Sequence, residues 1–268
     1  MMRDVRGLLI DLDGTVYEGD EAVAGAADAL ADLDRRGVPH LFTTNTSRMS
    51  RRAVSARLAE LGLAIPVDRV LTAPMAAALW LARENITRAH LLLPESTRED
   101  FEGIAAVGAD EAPEAVVVGD LGRAFTFERL NEAFRALRGG ARLVAIHRNR
   151  FWLPPDGPTL DAGPFVVGLE YAAGVEAVLV GKPSPTFFEL AVARLGVDRE
   201  GVAVVGDDPE SDVRGARAAG IRSIQVRTGK GRVETPGAGA GADLRLESIA
   251  AIGGVVDGAG ANRPPAEL

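Results

Sequence analysis

The stretch that decides the fold is Gly7-Leu8-Leu9-Ile10-Asp11-Leu12-Asp13-Gly14-Thr15, close to the start of the chain. Its first half is a short apolar run, which is typical of a buried strand in a parallel sheet. The run ends in two acids and a glycine. Ligands of open α/β sheets bind beyond the carboxyl ends of the strands, so polar residues at other strand ends become candidates for the same site.

Strand-like runs and helical patterns alternate along the rest of the 268 residues. Further strands are predicted at 38–43, 69–72, 89–93, 115–118, 143–147, 177–180, 202–205 and 221–226. Helices are predicted at 21–36, 51–61, 126–138, 186–195 and 210–219, with Ser50 as the N-cap of the second. The alternation predicts βαβ units and a mostly parallel sheet. The strands are too many for one sheet of this length, so two α/β layers are expected.

Three of the later strand ends carry polar clusters. These are Thr43-Thr44-Asn45-Thr46-Ser47-Arg48, then Gly181-Lys182-Pro183, then Gly206-Asp207-Asp208 with Asp212 shortly after. Each cluster by itself fits a polar turn, a solvated lysine or acids at a helix start. Their occurrence together, each at a strand end, favours a single site.

This set of residue types suits phosphoryl transfer through a carboxyl group. Asp11 would attack phosphorus, because a carboxyl with an ordinary pKa of about 3.9 is ionised at neutral pH. Mg²⁺ bound by Asp11 and Asp207 would screen the repulsion between carboxylate and phosphate. Gly14 lets the chain turn, so that Asp13 could serve as general acid and then as base for water.

The same reasoning assigns binding of the phosphate oxygens to the clusters at residues 43–48 and 181–183. Lys182 would supply a fixed positive charge, and Thr44 would donate a hydrogen bond. The backbone N–H groups of Asn45 and Thr46 would donate as well.

Composition excludes several other chemistries. The chain has no Cys and only 3 His, so disulfides, thiolate metal sites, a Cys nucleophile and a multi-His site are not expected. The net charge of -8 argues against a broad nucleic-acid surface. No apolar run is long enough to span a bilayer and no secretion signal is evident, so a cytoplasmic protein is expected. Of the basic residues, only Lys182 and Lys230 are lysines, and Lys230 has no predicted role.

The four motifs resemble those of the haloacid-dehalogenase-like (HAD) phosphatases, in the same order along the chain. The residues of these motifs, and the α/β insertion between the second and third motifs, are similar to those of subclass IIA, the NagD-type group. Residues 163–173, with the stretches GKPSPTFFE and VRTGKGR, most resemble the branch of phospholysine phosphohistidine inorganic pyrophosphate phosphatase. The resemblance covers about residues 5–256.

The resemblance implies a role for each matching residue. Asp11 is the nucleophile and a Mg²⁺ ligand, and Asp13 is the acid/base whose carbonyl also binds the metal. Asp207 is the third protein ligand. The phosphate is bound by Thr44 and Lys182, with Asn45 and Thr46 lining the substrate side. Asp208 and Asp212 orient metal-bound water and Lys182.

The resemblance also implies the domain organisation. A doubly wound parallel-sheet HAD core is expected from residues 1–77 and 179–256, with an inserted α/β cap at 78–178. Residues 236–242 are expected to be a linker and 257–268 a loose tail.

A cap over the site favours a small phosphorylated metabolite as substrate, with no nucleic-acid or membrane partner. A homodimer through the cap is a further expectation. The substrate stays open, including P–N and pyrophosphate bonds. A phosphotransferase or mutase and a non-catalytic phosphate-binding module stay as alternatives.

Overall fold

A computed structural model describes residues 4–152, 157–233 and 241–256. The strands are β1 (Gly7–Asp11), β2 (Tyr17–Glu18), β3 (Glu21–Ala22), β4 (His40–Thr44), β5 (Val70–Thr72), β6 (Arg88–Leu92), β7 (Ala105–Ala106), β8 (Ala115–Val118), β9 (Arg142–Ala145), β10 (Phe151–Trp152), β11 (Thr159–Leu160), β12 (Val178–Leu179), β13 (Val202–Gly206), β14 (Arg222–Val226) and β15 (Leu244–Leu246). The α-helices are α1 (Ala26–Arg35), α2 (Arg51–Glu60), α3 (Ala73–Arg83), α4 (Phe127–Arg138), α5 (Ala162–Ala173), α6 (Pro185–Leu195) and α7 (Gly215–Ala218).

The larger sheet has six strands in the order β15-β14-β13-β1-β4-β5. β1, β13, β14 and β15 pair in parallel, with Ile10 opposite Val205 in the central pair. Every residue of β1 and β13 is buried, which explains why both read as apolar runs rather than as alternating patterns. The central pair brings Asp11 and the residues after Gly206 to the same edge of the sheet.

The second sheet has five strands in the order β12-β9-β8-β6-β7, and its pairs are parallel. The apolar face of this sheet packs with α4 and α5 into one core, which includes Val116, Leu143, Ala133, Leu137 and Val166. α4 begins after Thr126, whose hydroxyl accepts a hydrogen bond from the backbone N–H of Arg129. The parallel α/β class expected from the sequence is confirmed.

The chain forms two compact units. The first contains residues 1–42, 61–63 and 192–268, and the second contains residues 43–60 and 64–191. β4 is the strand in which the chain passes from the first unit to the second, between Phe42 and Thr43.

Two predicted helices differ from the structure. The helix predicted at 21–36 begins only at Ala26, because Tyr17–Glu18 and Glu21–Ala22 form an antiparallel hairpin and Gly25 has a φ of 78°. The helix predicted at 210–219 is a π-helical turn, Pro209–Arg214, followed by the short α7.

Some elements were not predicted or cannot be compared. The sequence reading did not identify α5 as a helix, nor the β10–β11 hairpin. The predicted tail at 257–268 and most of the predicted linker at 236–242 lie outside the described residues. Within the described part of the chain, the helices all fall short of the length and apolarity that a membrane span requires.

Candidate active site

Three buried carboxylates meet at the edge of the larger sheet. Asp11 is the last residue of β1, Asp207 follows β13, and Asp212 lies in the π-helical turn. An oxygen from each of them lies within 4.8 Å of the other two, and the three residues are 6%, 3% and 1% exposed. Buried acids this close together repel one another, so the arrangement is typical of a cation site.

The oxygen spacing fits a hard divalent cation. Mg²⁺ prefers oxygen ligands at about 2.1 Å, so ligands on opposite sides of the ion lie about 4.2 Å apart. The acid oxygens, which lie within 4.8 Å of one another, are close enough to share such an ion. The cluster of Asp11, Asp207 and Asp212 offers only oxygen ligands, which favours a hard divalent cation such as Mg²⁺, Ca²⁺ or Mn²⁺ over softer transition metals.

The turn after β1 places Asp13 differently from Asp11. Gly14 has a φ of 83°, and its N–H donates to the carbonyl of Tyr17 at 2.7 Å. The side chain of Asp13 is exposed, whereas the hydroxyl of Thr15 donates to Oδ2 of buried Asp11 at 3.2 Å. The predicted nucleophile is thus held in place, and the predicted acid/base is accessible to solvent.

The pKa of Asp207 lies well above its ordinary value. Burial raises its pKa to about 6, the backbone N–H of Lys230 opposes that rise, and the charges of Asp212 and Asp208 add to it. The Lys230 N–H lies 2.7 Å from Oδ2 of Asp207. Near neutral pH the carboxylate is therefore ionised, but at a cost that a bound cation would relieve.

Asp208 has a different environment from its neighbour. Its Oδ1 accepts the N–H groups of Glu210 at 2.8 Å and Ser211 at 3.2 Å, and its Oδ2 lies 2.6 Å from Nζ of Lys230. Burial opposes ionisation, but the bond and charge of Lys230, together with the bonds from the N–H groups of Glu210 and Ser211, hold the pKa of Asp208 below its ordinary value. The N–H of Asp208 in turn donates to Oδ2 of Asp212 at 3.2 Å.

Lys230 lies beside the acid cluster, and sequence reasoning gave it no role. It is exposed, yet its amine and its amide both bond to acids of the motif after β13. The only available signal was that the chain has just two lysines and that this one follows Thr228-Gly229 at a strand end.

The second unit contains the other predicted site residues. Oδ1 of Asn45 accepts the N–H of Lys182 at 2.9 Å, and Nδ2 of Asn45 donates to the carbonyl of Lys182 at 2.9 Å. The N–H of Thr46 donates to the hydroxyl of Thr44 at 3.1 Å. Thr44 and Lys182 are buried, at 6% and 3% exposure. The structure thus joins the loop after β4 to the residues after β12 within this unit.

A polar cavity of about 220 Å³ adjoins this loop in the second unit. It is lined by Asn45, Thr46, Ser47, Arg48, Asp120, His147, Asn149, Trp152 and Asp161. Arg48 pairs with Asp120 at 2.6 Å and lies over the Trp152 ring, with 5.2 Å between Cζ and the ring centre. The cavity is small, so it suits a small polar group.

Ser47, His147 and Asp161 lie together in this cavity but do not form a nucleophilic relay. Ser47 Oγ is 3.1 Å and Asp161 Oδ1 is 3.6 Å from the same ring nitrogen, Nε2 of His147. A relay needs the serine and the acid on opposite nitrogens. Burial lowers the pKa of His147 despite the nearby charges of Asp161 and Asp120, so the ring is neutral at neutral pH.

Parallel α/β sheets with a buried carboxylate cluster beyond the strand ends are consistent with a metal-assisted hydrolase. Two family models match the chain: the haloacid dehalogenase-like hydrolases over residues 8–106 and the HAD-hydrolase-like group over residues 179–252. The chain belongs to the HAD-like hydrolases, in the NagD-type subclass IIA, and is an HAD-like phosphatase.

Individual relatives agree with this family. Human phospholysine phosphohistidine inorganic pyrophosphate phosphatase is 38% identical over 234 residues, which are 85% of each chain. The bovine haloacid dehalogenase-like hydrolase domain-containing protein 2 is 40% identical over 230 residues, 86% of this chain and 87% of the relative. The structure of p-nitrophenyl phosphatase from Archaeoglobus fulgidus has a TM-score of 0.85 and 30% identity, and covers 94% of this chain and 100% of its own.

Proposed function

We propose that this protein is a Mg²⁺-dependent phosphatase that hydrolyses a small phosphorylated substrate through an aspartyl-phosphate. The observation that carries the proposal is the cluster of Asp11, Asp207 and Asp212, whose buried oxygens lie within 4.8 Å of one another. In this proposal Asp11, Asp207 and the carbonyl of Asp13 hold the cation, and Asp212 adds a carboxylate beside them. Bound Mg²⁺ would neutralise the repulsion between the Asp11 carboxylate and the incoming phosphate.

The proposed reaction has two balanced steps. A carboxylate oxygen of Asp11 forms a bond to phosphorus while the bond from phosphorus to the leaving group breaks, and Asp13 gives its proton to the leaving group. Asp13 then takes a proton from water as the water oxygen attacks phosphorus, which releases phosphate and regenerates Asp11. The Thr15 hydroxyl, 3.2 Å from Oδ2 of Asp11, supports this role because it restricts rotation of the carboxylate.

We assign phosphate binding to Thr44, Lys182, Asn45 and Thr46. Burial of Lys182 and Thr44 supports this assignment, because a buried ammonium and hydroxyl act strongly on an anion where little water competes. The two bonds from Asn45 fix the main chain of Lys182 and so restrict where its amine can reach.

The polar cavity next to Asn45 and Thr46 is the proposed place of the leaving group. Its volume of about 220 Å³ favours a small polar leaving group over a protein side chain within a folded domain. The names of the relatives suggest phosphoesters, P–N bonds and pyrophosphate as the first substrates to test. We also propose residues 78–178 as the cap, since all strands of the five-stranded sheet except the end of β12 fall within that range.

Two measurements test the proposal. We expect Mg²⁺-dependent release of phosphate from 4-nitrophenyl phosphate, loss of activity with EDTA and recovery on adding Mg²⁺. Asp11→Asn should lower kcat by at least about a thousandfold while the circular dichroism spectrum stays unchanged. Full activity after complete chelation would refute the metal requirement, and undiminished turnover by Asp11→Asn would falsify the covalent step.

A further inference from the structure

The loop at residues 228–232, Thr228-Gly229-Lys230-Gly231-Arg232, is bonded to the segment that follows β1. The hydroxyl of Thr228 donates to the carbonyl of Gly14 at 2.6 Å. The carboxylate of Glu18 accepts the N–H of Gly229 and, at 2.6 Å, a guanidinium nitrogen of Arg232. These bonds, with that of Arg232 the strongest influence, lower the pKa of Glu18.

The same loop is bonded to the segment that follows β13. The N–H of Lys230 donates to Oδ2 of Asp207 at 2.7 Å, and Nζ of Lys230 donates to Oδ2 of Asp208 at 2.6 Å. Asp208 connects Lys230 to the turn that contains Asp212, because Oδ1 of Asp208 caps that turn. One short loop therefore contacts both segments that contribute acids to the cluster.

Glycine makes this close approach possible. Gly229 has a φ of 50°, and a Cβ there would overlap Oδ2 of Asp207 and lie 2.7 Å from Cα of Gly14. Gly14 also has no room for a side chain, because its Cβ would overlap the Asp207 carboxylate. The loop, the turn after β1 and Asp207 are thus packed against one another without intervening side chains.

We propose that residues 228–232 form a clasp that sets the spacing between the Asp11 segment and the Asp207–Asp212 segment. Glu18 and Lys230 are its positioning residues, one at each side. This inference rests on the proposed Mg²⁺ site, because the function of the clasp is to hold the metal-binding acids at a fixed separation. Neither Glu18 nor Lys230 belongs to the acid cluster itself.

The opposite charges of the two residues give a sharp test. If these residues acted only through their electric fields, Glu18→Ala would weaken Mg²⁺ binding and Lys230→Met would strengthen it. A clasp predicts the same sign for both, since each substitution loosens one side. We expect each variant to raise the Kd for Mg²⁺ by about tenfold, measured by titration calorimetry at pH 7.5.

Activity separates positioning from a direct role in the reaction. In both variants the Mg²⁺ concentration for half-maximal activity should rise, while kcat at saturating Mg²⁺ stays near the wild-type value. Lys230→Arg keeps the positive charge and a donor, and it should recover part of the affinity lost in Lys230→Met. A matched control is the exposed pair Arg227–Glu247, at 3.2 Å, whose variants Arg227→Met and Glu247→Ala should leave the Kd unchanged.

A second measurement needs no metal. Glu18 is hydrogen-bonded to Gly229 and Arg232 of the loop, and the clasp predicts that Glu18→Ala speeds hydrogen exchange of the metal-free protein at residues 207–214. Faster exchange there would support the clasp even if Mg²⁺ were not the bound cation. Opposite signs of the two calorimetric shifts, or exchange that changes only around residue 18, would overturn it.

Discussion

The side chain of Asn45 holds the main chain of Lys182 by two hydrogen bonds, each 2.9 Å long. Its amide nitrogen donates to the Lys182 carbonyl, and its amide oxygen accepts the Lys182 N–H. Gly181 lies directly beside this pair, where a Cβ would come within 3.1 Å of Oδ1 of Asn45. The position of the Lys182 main chain is therefore fixed by Asn45, although the two residues are 137 positions apart in the sequence.

This pairing predicts a large effect of Asn45→Ala. Without the amide, the N–H and the carbonyl of buried Lys182 each lose a hydrogen bond. The main chain that positions the Lys182 amine is then less restricted. We expect kcat/KM for 4-nitrophenyl phosphate to fall by about 10- to 100-fold. Asn45→Asp is the matched control, because it can still accept the N–H but cannot donate to the carbonyl, so it should be impaired as well. Wild-type kinetics in either variant would contradict the positioning of Lys182 by Asn45.

Lys182→Arg tests the need for a compact ammonium. An arginine keeps the charge but spreads it over a planar group that cannot occupy the same point in a buried position. We expect Lys182→Arg to retain the fold and to lose about 10- to 100-fold in kcat/KM, and Lys182→Ala to lose more. The comparison is made by steady-state kinetics at saturating Mg²⁺. Equal rates for Lys182→Arg and the wild type would show that charge alone suffices.

Asp207 predicts how the metal-free protein responds to pH. Its pKa in the folded state is about 6 against an ordinary value of 3.8, so this group favours the folded state below about pH 4. That contribution is lost as pH rises through 6. About two pKa units correspond to ~3 kcal/mol, and partial relaxation should reduce the measured effect to about 1–3 kcal/mol.

Asp207→Asn removes this titration. In urea unfolding without metal, the variant should be more stable than the wild type at pH 7.5 by about 1–3 kcal/mol, with a smaller difference at pH 5. It should also bind Mg²⁺ far more weakly. In the wild type, the Kd for Mg²⁺ should increase as pH falls through 6, because the cation then competes with a proton on Asp207. A wild-type Kd that is constant between pH 5 and 7.5 would rule out this competition.

Gly229→Ala separates backbone strain from overlap with Asp207. Gly220 has a similar φ of 68° but open space around it, so Gly220→Ala should cost only the strain of about 1 kcal/mol. Gly229→Ala adds overlap with the Asp207 carboxylate and with Gly14, which should cost about 1–3 kcal/mol more. Urea unfolding and Mg²⁺ calorimetry measure both effects. Equal behaviour of the two variants would mean that the loop can move away from Asp207.

Strand positions were the most predictable part of the fold. The predicted runs at 115–118 and 202–205 coincide with β8 and with most of β13, because strands buried on both faces are continuous apolar runs. Helix starts were less predictable. Residues 21–25 continue the polar and small-residue pattern of α1, but hairpin pairing and the left-handed Gly25 exclude them from the helix. Pairing between strands depends on the partner strand, so the sequence of residues 21–25 alone does not distinguish a helix from a hairpin.

The candidate site shows the same division. Asp11 and Asp207 were predicted as metal ligands from their places at the ends of parallel strands, and the structure brings Asp212, predicted only to orient other groups, into the same cluster. The burial of these acids could not be predicted from the sequence, although burial is what raises the pKa of Asp207. The contacts of Lys230 could not be predicted from the sequence, because a single exposed lysine after a strand has no distinctive pattern.

By itself, the sequence determined the parallel α/β class and the family and named candidate acids, because these depend on local patterns of apolar and polar residues. Tertiary structure alone decided which groups share a site. Asn45 meets Lys182, and Lys230 meets Asp207 and Asp208, through loops whose approach depends on glycines at 181 and 229. Such contacts form when segments that are distant in the sequence pack together. The free energy of each contact depends on residues from several segments, so a short stretch of sequence cannot predict it.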